Sequence, residues 1–432
     1  MQAKSLFIRL RSLSVIFTAM LFLTNAWAAD HETVLHSFGN GSDGASPLYS
    51  GVVLDGAGNL YGTTLGGGLH AGGTVFELSP RDGGGWTETL LHSFGGGSDG
   101  ALASSSLLID GAGNLYGTTQ IGGIHEAGTV FELSPQEGGG WSEKVLHSFN
   151  NNGSDGYQPE TGLTMDSAGN LYGTTPFGGI HVRGTVFELS PKQGGGWTET
   201  VLHSFGNGND GASPSYTALV LDGAGNLYGT TLFGGIHGAG TVFELSPREG
   251  GGWTETVLHS FGHGTDGILP TAGLLIDTAG NLYGTTEGGG TFDYGTAFEF
   301  SPREGGGWTE TVLHSFNLNG SDGATPSANL IMDANGNLYG TTFAGGIHNT
   351  CDAGCGTVFE LSPRQGGGWT ETVLHSFGSG NDGASPFYDG LVMDTAGNLY
   401  GTTLDGGLHG KGTVFELSPE DDGSWTGILT EP

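Results

Sequence analysis

Apolar residues in this chain come in short, strand-length bursts, and glycine-rich or Asp-Gly clusters separate one burst from the next. Four bursts recur in fixed order: "GLLID", "NLYGTT", "GTVFEL" (once "GTAFEF") and "GWTETVLHSF". The tetrapeptide "LHSF" places histidine at 36, 92, 147, 203, 259, 314 and 375, which sets a repeat period near 56. Each burst is rich in β-branched and aromatic residues and is bounded by turn formers, so each predicts a strand. The joint "D-x-A-G-N" predicts a tight hairpin with Gly280 and its equivalents at positive φ, and the proline of "SPREGGGW" ends the third strand. Continuously apolar segments such as "ALVLD", "SLLID" and "NLIMD" are expected innermost and buried on both faces. The alternating "WTETVLHSF" is expected outermost.

Four antiparallel strands per repeat, with no helical periodicity, describe one propeller blade. A 56-residue period is too long for one coil of a β-helix, which takes roughly 20 to 25 residues. The expected fold is therefore all-β: a seven-bladed β-propeller, formed by residues 29–432 as a single domain. "HETVLHSF" near the start is a fourth strand with no blade of its own, while the last repeat finishes in "WTGILTEP", a degraded copy. The N-terminal strand is thus expected to complete blade 7 and close the ring.

Composition changes the picture in three ways. Residues 1–28 carry Lys4, Arg9 and Arg11, the apolar run "LSVIFTAMLFL", and Ala26 and Ala28 at the small positions of a cleavage site. These features predict a secretory signal peptide and an exported protein, periplasmic or extracellular. No later stretch reaches the roughly 20 apolar residues of a spanning helix. Cleavage after Ala28 would leave 8 basic against 44 acidic residues, a net charge of −36. Such a surface repels nucleic acid and anionic lipid and tolerates cations and neutral glycans. Finally, Cys351 and Cys355 stand four apart in a chain expected outside the cytoplasm, which favours a small loop disulfide over a metal site with His348.

The succession "D-x-x-G-N-L-Y-G-T-T", "G-T-V-F-E-L-S-P", "L-H-S-F", seven times over from residue 34 to about 425, resembles the GloVer tandem repeat of bacterial exported and cell-surface proteins. The resemblance implies a β-propeller outside the cytoplasm, of unassigned activity, in a family often anchored by C-terminal sorting signals. This chain ends at Glu431 and Pro432 with no apolar segment, so no C-terminal anchor is expected.

Strand alternation puts the loops entering each blade ("GNGSDGASP") and those joining its second and third strands ("GGIHGAG") on one face. That face gathers Asp43, Asp99, Asp155, Asp210, Asp266, Asp322 and Asp382, together with His70, His125, His181, His237, His348 and His409. The aspartates are expected to cap their own turns, with a calcium ring as the alternative. The "LHSF" histidines are expected to hydrogen-bond between blades. The glycine loop around Lys411 lacks P-loop spacing and precedes a strand. No cofactor other than calcium is therefore in view.

Catalysis or recognition needs unlike groups at one point, so the informative positions are those where a repeat breaks its pattern. On the loop face these are Tyr157, Gln158 and Glu160 in repeat 3, Glu287, Phe292, Asp293 and Tyr294 in repeat 5, and Phe387, Tyr388, Asp389 and Asp405 in repeat 7. Aromatic and carboxylate side chains suit stacking on sugars and bonding to their hydroxyls. The leading reading is a monomeric, non-enzymatic binding propeller whose ligand is an extracellular glycan or protein. One alternative is a polysaccharide lyase or glycosidase using a pair such as Glu160 and Asp293. The other is a purely structural secreted protein.

Overall fold

A computed structural model describes residues 32–49, 51–214, 216, 218–388, 390–420 and 425. The expected signal peptide and Asp389 lie outside the described residues. Those described contain strands and turns and no helix, so none is long and apolar enough to cross a membrane.

Seven antiparallel blades of four strands stand in a ring, and blades 1 to 6 each run from inner to outer strand in sequence order. Blade 1 is Val53–Leu54, Leu60–Thr64, Thr74–Pro80 and Trp86–Ser93. Blade 7 takes Val392–Met393, Leu399–Thr403 and Thr413–Leu417 from the end of the chain and its outer strand, Glu32–Ser37, from the beginning. Glu32 pairs with Leu417 and Ser37 with Thr413, antiparallel, so the ring closes through the N-terminal strand.

The hairpin between first and second strands follows from one aspartate. Asp55 Oδ1 accepts from the backbone N–H of Ala57 and Asn59 at 2.8 and 2.9 Å, and its Oδ2 accepts from Asn59 Nδ2 and from the Tyr61 hydroxyl. Gly58 sits at φ 89°, the left-handed turn position. Burial alone would raise the Asp55 carboxyl, but these hydrogen bonds outweigh it and hold the group below its ordinary value.

The inner strands are shorter than their apolar runs suggest. Only Val220 and Leu221 of "ALVLD" pair in blade 4, and both are half-buried, because the inner strand is the free edge of its sheet. Burial is deepest one step outward, where every "LYGTT" strand is fully buried.

The core lies between blades. One cluster joins Tyr172, Val186 and Phe205 of blade 3 to Leu219, Leu227, Phe243 and Leu245 of blade 4, and the other junctions repeat it. The "LHSF" phenylalanine of each blade meets the "GTVFEL" phenylalanine of the next, as in Phe205 on Phe243 at 5.0 Å and Phe377 on Phe415 at 5.0 Å. At the closing junction Phe38 meets Phe76 at 5.1 Å. Tryptophans lock the same seams: Tyr228 of blade 4 meets Trp308 of blade 5 at 6.2 Å. The outer strand of blade 7 starts at Glu32 and brings no tryptophan. Trp425 supplies one, 6.4 Å from Tyr339 of blade 6.

The glycine of each "YGTT" strand makes room for this packing. A Cβ on Gly229 would lie 2.7 Å from Phe243 Cζ and 2.8 Å from Leu219 Cδ2, both on buried side chains. Gly229→Val is expected to cost about 1–3 kcal/mol by overpacking, read as a lower urea midpoint. An unchanged midpoint would mean that the blade 4 seam is looser than described.

Candidate functional site

The loop face is organised as expected from strand alternation. The loop entering blade 3 pairs with the loop after its second strand, Gly156 with Gly178 and Tyr157 with Phe177, and these two rings stack at 5.5 Å. The same short ladder recurs in blades 4 to 7.

At the centre of this face three tyrosines converge. Tyr49 of blade 1 stacks on Tyr216 of blade 4 at 4.8 Å, Tyr216 on Tyr388 of blade 7 at 4.3 Å, and Tyr49 on Tyr388 at 5.3 Å. Blades 1 and 4 stand three places apart in a ring of seven, so rings from both can stack only over the central axis. All three residues hold left-handed backbone, with φ of 64°, 65° and 58°. Such strain costs on the order of 1–3 kcal/mol per residue and collects where a side chain must be aimed. Equivalent positions in blades 2, 3, 5 and 6 are Ser105, Thr161, Ala272 and Ala328, all small. Room over the axis explains the alternation, since seven rings could not share it.

Two carboxyl groups flank the tyrosines. Glu160 of blade 3 accepts a hydrogen bond from Tyr216, and Glu287 of blade 5 accepts one from Tyr388. Burial, outweighing the Tyr216 bond, pushes the Glu160 carboxyl up to about 7. Burial also raises Glu287, whose Oε1 is buried with no hydrogen-bond partner. The tyrosines are held above their usual range by burial, with the glutamate charges adding to it, so they remain neutral hydroxyls. The axial mouth therefore offers half-buried aromatic faces, hydroxyls and two carboxyl groups that burial makes hold their protons more tightly than usual.

A pH dependence follows. A glutamate with the ordinary value of 4.5 when unfolded and about 7 when folded binds its proton more tightly in the native state, so its contribution to stability falls as pH rises from about 4.5 to 7. Glu160→Gln is expected to melt like the parent near pH 4 and above it at pH 8. A gap of equal size at both pH values would contradict the placement of Glu160.

The remaining sequence candidates lie elsewhere. Phe387 touches Tyr388 at 3.9 Å and Phe343 at 4.7 Å, backing the site from blade 7. Gln158, at φ 57°, shapes the turn leading to Glu160. Phe292, Asp293 and Tyr294 are exposed at the tip of a blade 5 loop, and Asp293 makes no contact with Glu160 among the described residues. Asp405 is exposed in the short ladder of blade 7, paired with Ala384.

Toward the outer strands, loop histidines follow exposed aliphatics such as Leu69 (72% exposed), Ile124 (72%) and Leu408 (67%), whose backbone N–H groups donate to Ser93, Ser148 and Ser37 at the outer-strand ends. The Asp-Gly aspartates fold back on their own turns: Asp266 Oδ1 accepts from Gly262 and His263 N–H at 3.1 and 2.8 Å. Each also meets the preceding "LHSF" histidine, His259 Nε2 lying 3.1 Å from Asp266 Oδ2. Cys351 and Cys355 are disulfide-bonded within the longest of these loops.

Tyr49 and Tyr216 were not singled out by the sequence. The signal was a column two residues past the proline of "SPLYS", "SPSYT" and "SPFYD", where tyrosine alternates with small residues.

Among solved structures, an ancestral GH74 enzyme is similar at 12% identity and a TM-score of 0.57, over 90% of this chain and 49% of that one. This chain thus spans about half the length of that enzyme, and the likeness shows the fold alone. A gluconolactonase from Xanthomonas campestris is similar at 13% identity and a TM-score of 0.41, over 74% of this chain and 87% of that one. No curated protein matches. The Gloeobacter/Verrucomicrobia repeat matches residues 21–219, 138–353 and 215–430, and with seven such blades closed into one ring the chain belongs to that repeat family.

Proposed function

We propose that this protein is an exported, non-enzymatic binding propeller that takes a sugar ring at its axial mouth, on Tyr49, Tyr216 and Tyr388, with Glu160 and Glu287 bonding the sugar hydroxyls. One observation carries the reading: positions at which the repeats differ converge on a single point over the axis. Aromatic faces beside hydrogen-bonding carboxyls are what a pyranose requires, apolar C–H faces meeting a ring and hydroxyls meeting charge or acid.

The test is a glycan array with the chain lacking residues 1–28, run with and without added calcium, followed by calorimetry on each hit. Binding that does not depend on calcium supports the axial site. Binding only with calcium would move the ligand to the Asp-Gly loops, and no binding would remove glycans as the ligand class.

The raised Glu160 favours a second reading. A carboxyl protonated near neutrality can donate to a departing glycosidic oxygen. Sugar released from an array hit by the parent chain, and not by Glu160→Gln, would turn the binding protein into a hydrolase.

A further inference from the structure

Among the described residues, two blade junctions carry a set of three metal-ligating groups outside the axial site. The "LHSF" histidine of one blade, the Asp-Gly aspartate of the loop entering the next, and the glutamate of that next blade's outer strand meet at the seam. At the blade 4 to 5 junction His259 Nε2 lies 3.1 Å from Asp266 Oδ2 and 3.9 Å from Glu310 Oε2. At the blade 5 to 6 junction His314 Nε2 lies 3.2 Å from Asp322 Oδ2, and Glu371 completes the set. In both sets one donor atom per residue lies within 4.8 Å of the other two.

Hydrogen bonding leaves these sets incomplete. Glu310 Oε1, Glu371 Oε1 and Asp322 Oδ1 are buried without a partner, Asp322 on a residue only 9% exposed. Two carboxylates crowded at one seam, with oxygens left without a partner, lack a positive charge between them.

We propose that His259, Asp266 and Glu310, and likewise His314, Asp322 and Glu371, each bind one divalent transition-metal ion of the zinc type. Metal–ligand distances of about 2.0–2.2 Å put neighbouring donor atoms about 3.0–3.5 Å apart, the spacing already held by each His–Asp pair. The third carboxylate needs only a small rotation. One imidazole nitrogen with two carboxylates selects zinc or manganese over calcium, which prefers six or more oxygens. The ion would join the outer strands of neighbouring blades and neutralise their seam. In this arrangement the Asp-Gly aspartates do not form one calcium ring. Each belongs to its own junction.

The test is titration of metal-stripped chain with cobalt(II), a coloured stand-in for zinc, with zinc competition and with calcium in parallel. The parent is expected to take up two tight equivalents, develop visible absorption from nitrogen and oxygen ligands, lose it to added zinc and ignore calcium. Glu310→Gln with Glu371→Gln, near-isosteric changes, should weaken those two equivalents by at least about 100-fold, since even outer-shell partners are worth 10- to 100-fold. His237→Ala, which removes an exposed histidine 5.7 Å from His263, should leave them intact. Absence of uptake by the parent, uptake unchanged in the double variant, or uptake lost with His237 would each overturn the proposal. The parent's own absorption spectrum keeps it testable if the double variant fails to fold.

Discussion

Phe205→Ala is expected to destabilise the ring by about 3–5 kcal/mol, the largest effect of any single truncation considered. Phe205 is fully buried, lies edge-on to His203 at 4.6 Å and packs on Phe243 of the next blade at 5.0 Å. Its backbone N–H donates to Gly184 O at 2.9 Å, so the main chain is held in place and the seam cannot collapse into the space left behind. Phe205→Leu keeps most of the volume and should cost less than half as much. Urea unfolding with both variants reads the difference. A small loss for Phe205→Ala would mean that the blades are stabilised mainly from within, contrary to a core that sits between them.

The second large effect is on recognition. Tyr216→Ala is expected to weaken glycan binding by about 100-fold, roughly 2.7 kcal/mol, with little loss of stability. Tyr216 makes the two shortest contacts of the cluster, 4.8 Å to Tyr49 and 4.3 Å to Tyr388, and donates to Glu160. Removing it deletes one aromatic face and leaves the Glu160 carboxyl without its partner, two losses that act on the same ligand. Alanine keeps the Cβ and with it the same left-handed backbone, and the ring it removes is only half-buried, which is why affinity and stability should separate. Calorimetry beside a thermal melt reads both. A fall in melting temperature with affinity intact would make the tyrosines a structural plug.

The scaffold was legible because it is written seven times. The period of "LHSF", the turn chemistry of "D-x-A-G-N" and the displaced strand at Glu32–Ser37 fixed blade number, strand order and closure. The role of Trp425 was not legible, because its strand reads as a decayed copy, and only the ring reveals that the outer strand of blade 7 lacks a tryptophan. The inner strands misled for a related reason. Apolar runs such as "ALVLD" signal burial, but a sheet edge along an axial channel pairs over two residues and stays half-buried.

The candidate site was legible in part. Glu160, Glu287 and Tyr388 stood out as departures from the repeat, and the structure brings them to one place. Tyr49 and Tyr216 did not, because a tyrosine present in three of seven copies looks like ordinary variation within a repeat. Its meaning depends on the ring, which carries blades 1, 4 and 7 to the same axis across long stretches of chain. Asp293 illustrates the converse: an irregular carboxylate in sequence that the fold leaves at an exposed loop tip.

The measurement that tests the account most directly is glycan-array binding by the parent chain beside the Tyr216→Ala, Tyr388→Ala double variant, with a Phe292→Ala, Tyr294→Ala variant of the blade 5 loop tip as reference. The account predicts a hit on the parent that survives in the loop-tip variant and disappears in the tyrosine variant at unchanged melting temperature. A hit that persists without the tyrosines, or that vanishes with the loop tip instead, would contradict an axial site.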